Sequence, residues 1–189
     1  MAGPQFDEAA LRAIAGRLGN AFKVIGGNGA SQTKDRSQVV LQALDDLVKQ
    51  EVLVGIPSDK ADRQDGESLN NAARLYISEY GAPEANIPAR PTVMPGIEAA
   101  REEINKRMAS VARAAMAGNA QSVDQGMHAA GLAAADSIKE MINSNTPPPL
   151  AERTLADRRA RGVTRTNTLV DEAEMRNAVT YIVRDKSRG

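Results

Sequence analysis

Apolar residues recur at three- and four-residue steps along most of this chain, which is the spacing of an amphipathic helix. In residues 69–80, for example, the spacing gathers Leu69, Tyr76 and Tyr80 on one apolar face. The same pattern predicts helices over residues 7–25, 35–48, 69–80, 96–117, 120–143 and 150–161. Helices therefore dominate the predicted fold.

Two short segments rich in β-branched residues predict strands instead. Residues 52–56 are followed by Pro57, which ends the run, and residues 179–183 form the second segment. Because most of the chain separates them, any sheet that they share pairs distant parts of the sequence. The predicted fold class is α+β: a helix-rich single domain with a small, mainly antiparallel sheet packed against long helices.

Proline and glycine mark the connections between these elements. Four prolines divide residues 81–95 and three follow one another at residues 147–149, which predicts extended, Pro-rich arms. Gly81 is the predicted end of the third helix, and the glycine-rich residues 26–29 predict a turn or hinge. We expect an N-terminal helical region at residues 1–50 and an α+β domain at residues 51–189.

Composition narrows the possible functions. The 189 residues include 24 Lys and Arg and 24 Asp and Glu, so the net charge is zero, unlike that of a dedicated nucleic-acid binder. Cysteine is absent, which excludes disulfides, thiolate metal sites and a cysteine nucleophile. No apolar run is long enough to span a bilayer, so we expect no membrane association.

Few residues suggest chemistry. His128 is the only histidine and follows Asp124 by four residues, a spacing that suits either a general base oriented by a carboxylate or an ordinary helix-surface pair. Asp59, Asp62 and Asp65 lack the alternating spacing of a calcium-binding loop. A small hydrolase using either group remains an alternative. We expect no enzymatic activity, no cofactor and no metal site.

An arginine cluster follows the triple proline. Its guanidinium groups suit three roles: pairing with acidic surfaces of a neighbouring subunit, lining a channel for DNA, or forming a solvated face. No aromatic residue interleaves them, which argues against stacking on single-stranded bases. The five arginines are Arg153, Arg158, Arg159, Arg161 and Arg165.

Two separated segments carry short motifs. The first passes from a Tyr-Gly turn through Ile-Pro-Ala-Arg-Pro to a Pro-Gly-Ile helix start. The second passes from Pro-Leu through Thr-Leu and the arginines to Leu-Val-Asp and the last strand. Together, over about residues 51 to 184, they resemble the tail-completion, or head–tail joining, proteins of tailed bacteriophages. The residues concerned are Tyr80, Gly81, Pro88, Arg90, Pro91, Pro95, Leu169, Asp171 and Tyr181.

The chain departs from the family pattern at two places: Glu172-Ala173 stands where Thr-Gly is usual, and Thr92-Val93 where Phe-Leu is common. The resemblance implies a structural protein of the virion neck, assembled in the host bacterial cytoplasm. It implies a hexameric ring that completes the tail and contacts the head connector and the tail tube or sheath. The resemblance also implies that double-stranded DNA crosses the lumen of the ring without sequence readout. The alternative is a cytoplasmic DNA-binding or regulatory module that uses the arginines of residues 153–165.

Overall fold

The structure, a computed structural model, describes residues 37–63, 68–169 and 173–186. The predicted helix at residues 7–25, the turn at residues 26–29, Asp65 and Asp171 lie outside these ranges. The described elements are α1 (Ser37–Lys49), β1 (Gln50–Gly55), α2 (Asn71–Tyr80), α3 (Val93–Ala99), α4 (Arg101–Met116), α5 (Ala120–Asn143), α6 (Glu152–Ala160), α7 (Glu174–Ala178) and β2 (Thr180–Asp185), with 3₁₀ turns at Ser58–Lys60 and Pro83–Ala85.

Helix α5 is the centre of the fold. Its 24 residues pack against α3, α4 and both strands. Small residues allow these elements to come close: a Cβ on Gly126 would overlap Val111 of α4, and one on Gly131 would overlap the Tyr181 ring of β2. The face of α5 that is rich in alanine and glycine is therefore the surface on which the neighbouring elements pack.

The sheet consists, in the described residues, of β1 and β2 in antiparallel pairing. Leu53 lies opposite Ile182, and Val54 lies opposite Tyr181. Val54 and Tyr181 pack towards the core cluster, where Ile138 of α5 is fully buried. The predicted class, a helix-rich α+β domain with a small antiparallel sheet against long helices, is confirmed.

The predicted helix at residues 96–117 is two helices. The chain bends at Ala100, which separates α3 from α4. Helix α3 begins at Val93, so Pro95 lies in its first turn and the prediction that Pro95 excludes helix is wrong. Proline is tolerated there because an N–H in the first turn has no acceptor within its own helix.

The predicted apolar face of the third helix is also wrong. Helix α2 begins at Asn71, and its Asn70 cap accepts a hydrogen bond from the Ala73 N–H at 2.8 Å. Leu75 is the core residue of this helix, whereas Tyr76 and Tyr80 are each 65 % exposed. The spacing correctly predicted a helix, but an all-round scatter of apolar residues left its buried side undetermined.

The described helices include none that is both long enough and apolar enough to cross a membrane.

Candidate functional site

Arg90 joins the two motif segments. Its Nε donates a hydrogen bond to the Pro148 carbonyl at 2.8 Å, and Nη2 donates to the Pro149 carbonyl at 3.2 Å. Its backbone N–H donates to the Ser78 carbonyl of α2 at 2.6 Å. The residue is buried, and loss of solvation lowers the pKa of the guanidinium below its ordinary value. This contact, termed the Arg90 joint, holds residues 81–95 against residues 147–149.

The chemistry of the joint follows from its residue types. Consecutive prolines expose carbonyl groups but have no N–H groups with which to form a ladder of their own. A guanidinium has five donors in a planar fork, so one side chain can satisfy two such carbonyls. Sequence analysis identified Arg90 and the triple proline separately. The signal that could have connected them is chemical: a run of prolines has carbonyl groups but no N–H groups, and an arginine side chain can donate hydrogen bonds to those carbonyls.

Glu79, the neighbour of the joint in α2, caps α3 from outside. Its Oε2 accepts hydrogen bonds from the N–H groups of Thr92 and Val93 at 2.7 and 2.9 Å. Its Oε1 accepts one from Met94 at 3.1 Å. A carboxylate at a helix amino terminus satisfies unpaired N–H groups and interacts favourably with the helix dipole. Sequence analysis missed this residue because its partners lie 13 to 15 positions away.

Gly81 makes the turn between α2 and the arm. Its φ of 75° lies in the left-handed region, and a Cβ there would sit 2.9 Å from the Ile87 carbonyl oxygen and from the Ala89 nitrogen. Only glycine meets both conditions without strain. The predicted role of Gly81 as the end of this helix is confirmed.

An exposed apolar surface lies beside the joint. The rings of Tyr76 and Tyr80 are in contact, with centroids 4.8 Å apart. Met94, whose N–H is bound by the adjacent Glu79, is also 65 % exposed. Aromatic residues and methionine are enriched at the centres of protein interfaces. Tyr76 and Tyr80 are termed the tyrosine surface.

The remaining motif residues occupy different environments. Pro88 and Pro91 are exposed on the arm, and Pro95 is half-buried in α3. Leu169 and Tyr181 pack against the hydrophobic core. Tyr80, Gly81, Pro88, Arg90, Pro91 and Pro95 thus lie along α2, the arm and the first turn of α3, whereas Leu169 and Tyr181 pack against the core cluster.

The arginine cluster does not form one exposed set. Arg158 is 5 % exposed, and its Nη1 donates to the carbonyls of Arg165 at 3.2 Å and Asn167 at 2.7 Å. It therefore holds the chain that returns after α6. Arg153, Arg159, Arg161 and Arg165 lie at the surface. Nothing in the local sequence distinguishes Arg158 from Arg159, which is why all five were grouped.

A third arginine with a buried side chain, Arg63, was not identified from the sequence. Arg63 donates from Nη1 to the Asn71 side-chain oxygen at 3.1 Å, and its Nη2 lies 3.2 Å from Glu174 Oε2. The Arg63 side chain is buried, and Asn71 is the first residue of α2. These contacts tie the β1–α2 connection to α7. They are structural, since Arg63 contacts both Asn71 and Glu174.

His128 lies in a surface arrangement. Its Nδ1 is 3.3 Å from the Tyr181 hydroxyl, and its Nε2 is 3.7 Å from an Asp124 oxygen. Both His128 and Asp124 are exposed, so water competes for the imidazole and the carboxylate. In the described ranges, no group of three or more His, Cys, Asp or Glu side chains is arranged to hold a metal ion.

Comparison with protein-family models, with characterised proteins and with solved structures gives no match.

Proposed function

We propose that this chain is a structural protein of a tailed-phage virion neck. It forms a ring that completes the tail and joins it to the head connector around the DNA channel. The observation that carries the proposal is the Arg90 joint. The two segments that resemble neck-protein motifs are far apart in sequence, and a buried guanidinium binds one to the other.

The contacts within the joint have a structural character. Arg90 and Glu79 both bind backbone groups, so their role is to hold the arm and α3 in one shape. A rigid arm is suited to assembly, because a surface ordered before association loses less conformational entropy on binding. The motif residues thus fix the conformation of the surrounding surface. A protein that binds several partners through complementary surfaces requires such a fixed conformation.

The tyrosine surface is the proposed contact with a different virion protein, either the head connector or the tail tube or sheath. Aromatic side chains at the centres of interfaces often contribute a large share of the binding free energy, as measured by truncating them. The exposed arginines Arg153, Arg159, Arg161 and Arg165 face a neighbouring subunit or the DNA in the lumen. Neither contact, with a subunit or with DNA, requires the protein to recognise a particular base sequence.

Cryo-electron microscopy of the intact virion neck tests the proposal. The expected result is a closed ring of this chain between the connector and the tail, with extensive contacts between copies. A reconstruction with one copy, with scattered copies, or without this chain overturns it.

A DNA-binding or regulatory module is the second candidate, because four arginines of the cluster are exposed on or near α6. Titration of duplex DNA at several salt concentrations separates the two functions. A neck protein is expected to bind weakly and without sequence preference, with affinity that falls steeply as salt rises. A preferred sequence bound at least about a thousandfold more tightly than random duplex would favour the second candidate.

A further inference from the structure

Helix α1 has an apolar side that the described residues leave uncovered. The helix packs against α4 and against β1, which follows it directly. None of its described side chains, at residues 38–49, is buried. Val39, Leu41 and Val48 are 52 %, 45 % and 59 % exposed. Because most of the stability of a helix in a protein comes from packing of its apolar face, α1 requires a further partner.

The exposed residues include a continuous stripe along α1. Leu41 and Val48 are seven positions apart, which returns a helix to nearly the same face, and Leu44 lies between them. These three residues are termed the α1 stripe. A second apolar stripe runs beside it and is half-buried in the fold. Its members are Val40, Ala43 and Leu47.

The part of the chain that precedes α1 carries a matching apolar pattern. Residues 7–25 lie outside the described ranges, and their sequence predicts an amphipathic helix. Both phenylalanines of the chain, Phe6 and Phe22, also precede α1. An amphipathic helix needs a surface on which to bury its apolar face. The predicted apolar face consists of Leu11, Ile14, Leu18, Phe22 and Ile25.

The connection between the two helical patterns is long enough for them to meet. Residues 26–36 span roughly 36 Å when fully extended. Helix α1 has 13 residues and is therefore about 20 Å long. Glycine-rich residues 26–29 favour a change of direction, which suits two antiparallel neighbouring helices. A tethered segment also has an effective concentration on the order of millimolar, so it competes strongly with separate chains for the same surface.

We propose that residues 7–25 form a helix that packs antiparallel on the α1 stripe of the same chain. The steps of the two patterns agree, since each places an apolar residue at every turn of its helix. The α1 stripe is then an internal contact, and residues 1–50 and the α+β domain share one apolar layer. The paired residues are Phe22 with Leu41, Leu18 with Leu44, and Ile14 with Val48.

Cross-linking within one chain tests this contact. The natural chain contains no cysteine, so one pair of thiols can be introduced at a time. In Ala15→Cys with Val48→Cys, the two thiols lie across the proposed contact and the large apolar residues of the predicted helix are retained. A short bismaleimide reagent is applied to the full-length chain at low concentration. Peptide mass spectrometry then identifies the linked positions, and gel mobility separates links within a chain from links between chains.

The matched control is Ala15→Cys with Leu132→Cys, because Leu132 is half exposed on a different helix, α5. A freely moving tether would reach both positions, whereas a docked helix reaches position 48 alone. The 15–48 link is expected to form on the order of tenfold faster than the 15–132 link. Equal rates would overturn the proposal. A 15–48 link that joins two chains would also overturn it and would assign the α1 stripe to a second copy.

Hydrogen exchange provides an independent test in the full-length chain. Leu18→Ser with Phe22→Ser removes two apolar side chains from the proposed contact. Burial of one such side chain shifts an equilibrium by about tenfold or more, so the amides of α1 are expected to exchange at least about tenfold faster. Amides of α5 report on the core and are expected to keep their exchange rates.

Asn20→Ser with Lys23→Ser is the control for the exchange experiment. Both residues lie on the polar side of the same predicted helix, so α1 is expected to exchange as in the natural chain. Unchanged α1 exchange in the Leu18→Ser with Phe22→Ser chain would contradict the contact. An equal increase in the apolar and polar variants would contradict it as well.

This contact does not depend on the neck function. A ring in the virion neck, together with equal rates of the 15–48 and 15–132 links, would keep the proposed function and reject the helix contact. A selective 15–48 link in a chain that forms no ring in the neck would reject the neck function and keep the helix contact.

Discussion

Arg90 and Arg158 show how a charged residue can be a structural centre of this fold. Each is buried, and each donates to two backbone carbonyls in a segment without regular secondary structure. Hydrogen bonds from charged donors contribute about 1.5–3 kcal/mol. The two residues therefore stabilise connections that have no ladder of their own.

Replacing Arg90 is expected to loosen the joint. Arg90→Met retains an unbranched aliphatic side chain but removes both donors, so the free energy of unfolding should fall by about 2–4 kcal/mol. Urea denaturation monitored by circular dichroism measures the change. Arg153→Met, at an exposed position on α6, is the control and should alter stability by less than about 0.5 kcal/mol. Equal effects of the two replacements would contradict the structural role of Arg90.

Adjacent arginines of the cluster should behave differently. Arg158→Ala removes the donor to the Asn167 carbonyl and is expected to lower the free energy of unfolding by about 1–3 kcal/mol. Arg159→Ala changes an exposed side chain and is expected to have an effect within about 0.5 kcal/mol. Thermal unfolding of both variants in one buffer provides the comparison. If both variants leave the melting temperature unchanged, the burial of Arg158 has no energetic consequence.

Among the elements, α5 determines how closely the others pack. Gly96 of α3 faces Ile138, and a Cβ there would lie 2.8 Å from the Ile138 Cα. The Ser137 hydroxyl donates to the Gly96 carbonyl at 2.7 Å and reinforces the same approach. Protein interiors are close-packed, so even one added methyl group must displace a neighbour. Glycine at such positions is therefore a packing requirement, despite its poor helix propensity.

Gly131→Ala tests that requirement at the sheet. Alanine favours helix by about 1 kcal/mol over glycine, yet the new methyl group would overlap the Tyr181 ring and Val52. Overpacking costs about 1–3 kcal/mol, so we expect net destabilisation and a lower melting temperature. Gln125→Ala, at an exposed position of α5, serves as the control and should be neutral or slightly stabilising. A stabilised Gly131→Ala would show that the sheet shifts freely on α5.

The whole molecule combines a rigid core with exposed features at its margins. Its core cluster includes Leu75, Ile138, Ile142 and Val179, which come from three separate parts of the chain. The Arg90 joint, the tyrosine surface and the outer face of the sheet all lie around this core. Rigid scaffolds that carry binding residues on arms and edges are a common arrangement for assembly.

The tyrosine surface should matter for assembly more than for folding. Tyr76→Ser with Tyr80→Ser should leave the unfolding curve of the isolated chain nearly unchanged, because both side chains are largely exposed. Removing two interface aromatics should weaken partner binding by on the order of tenfold or more. Quantifying the chain in purified virions measures incorporation. Leu132→Ser is the control, and equal incorporation of the two variants would reject this surface as a contact.

Local patterns determined the type of most elements. The 3.6-residue period of α5 and the β-branched residues of β1 and β2 are properties of neighbouring positions, so they can be recognised without a fold. Gly81 was recognised for the same reason, since a helix end that requires positive φ favours glycine. The α+β class followed from these elements. The motif residues of the candidate site were also located in sequence.

Tertiary structure decided which of these features meet. Arg90 reaches Pro148 across 58 positions, and Arg158 turns inwards because the returning chain presents carbonyls to it. Helices α3 and α4, on either side of Ala100, likewise both pack against α5. Hydrogen-bond partners and buried faces are set by three-dimensional proximity, which local periodicity does not encode. The sequence therefore determined the elements and the candidate residues, and the packing around α5 determined the joint.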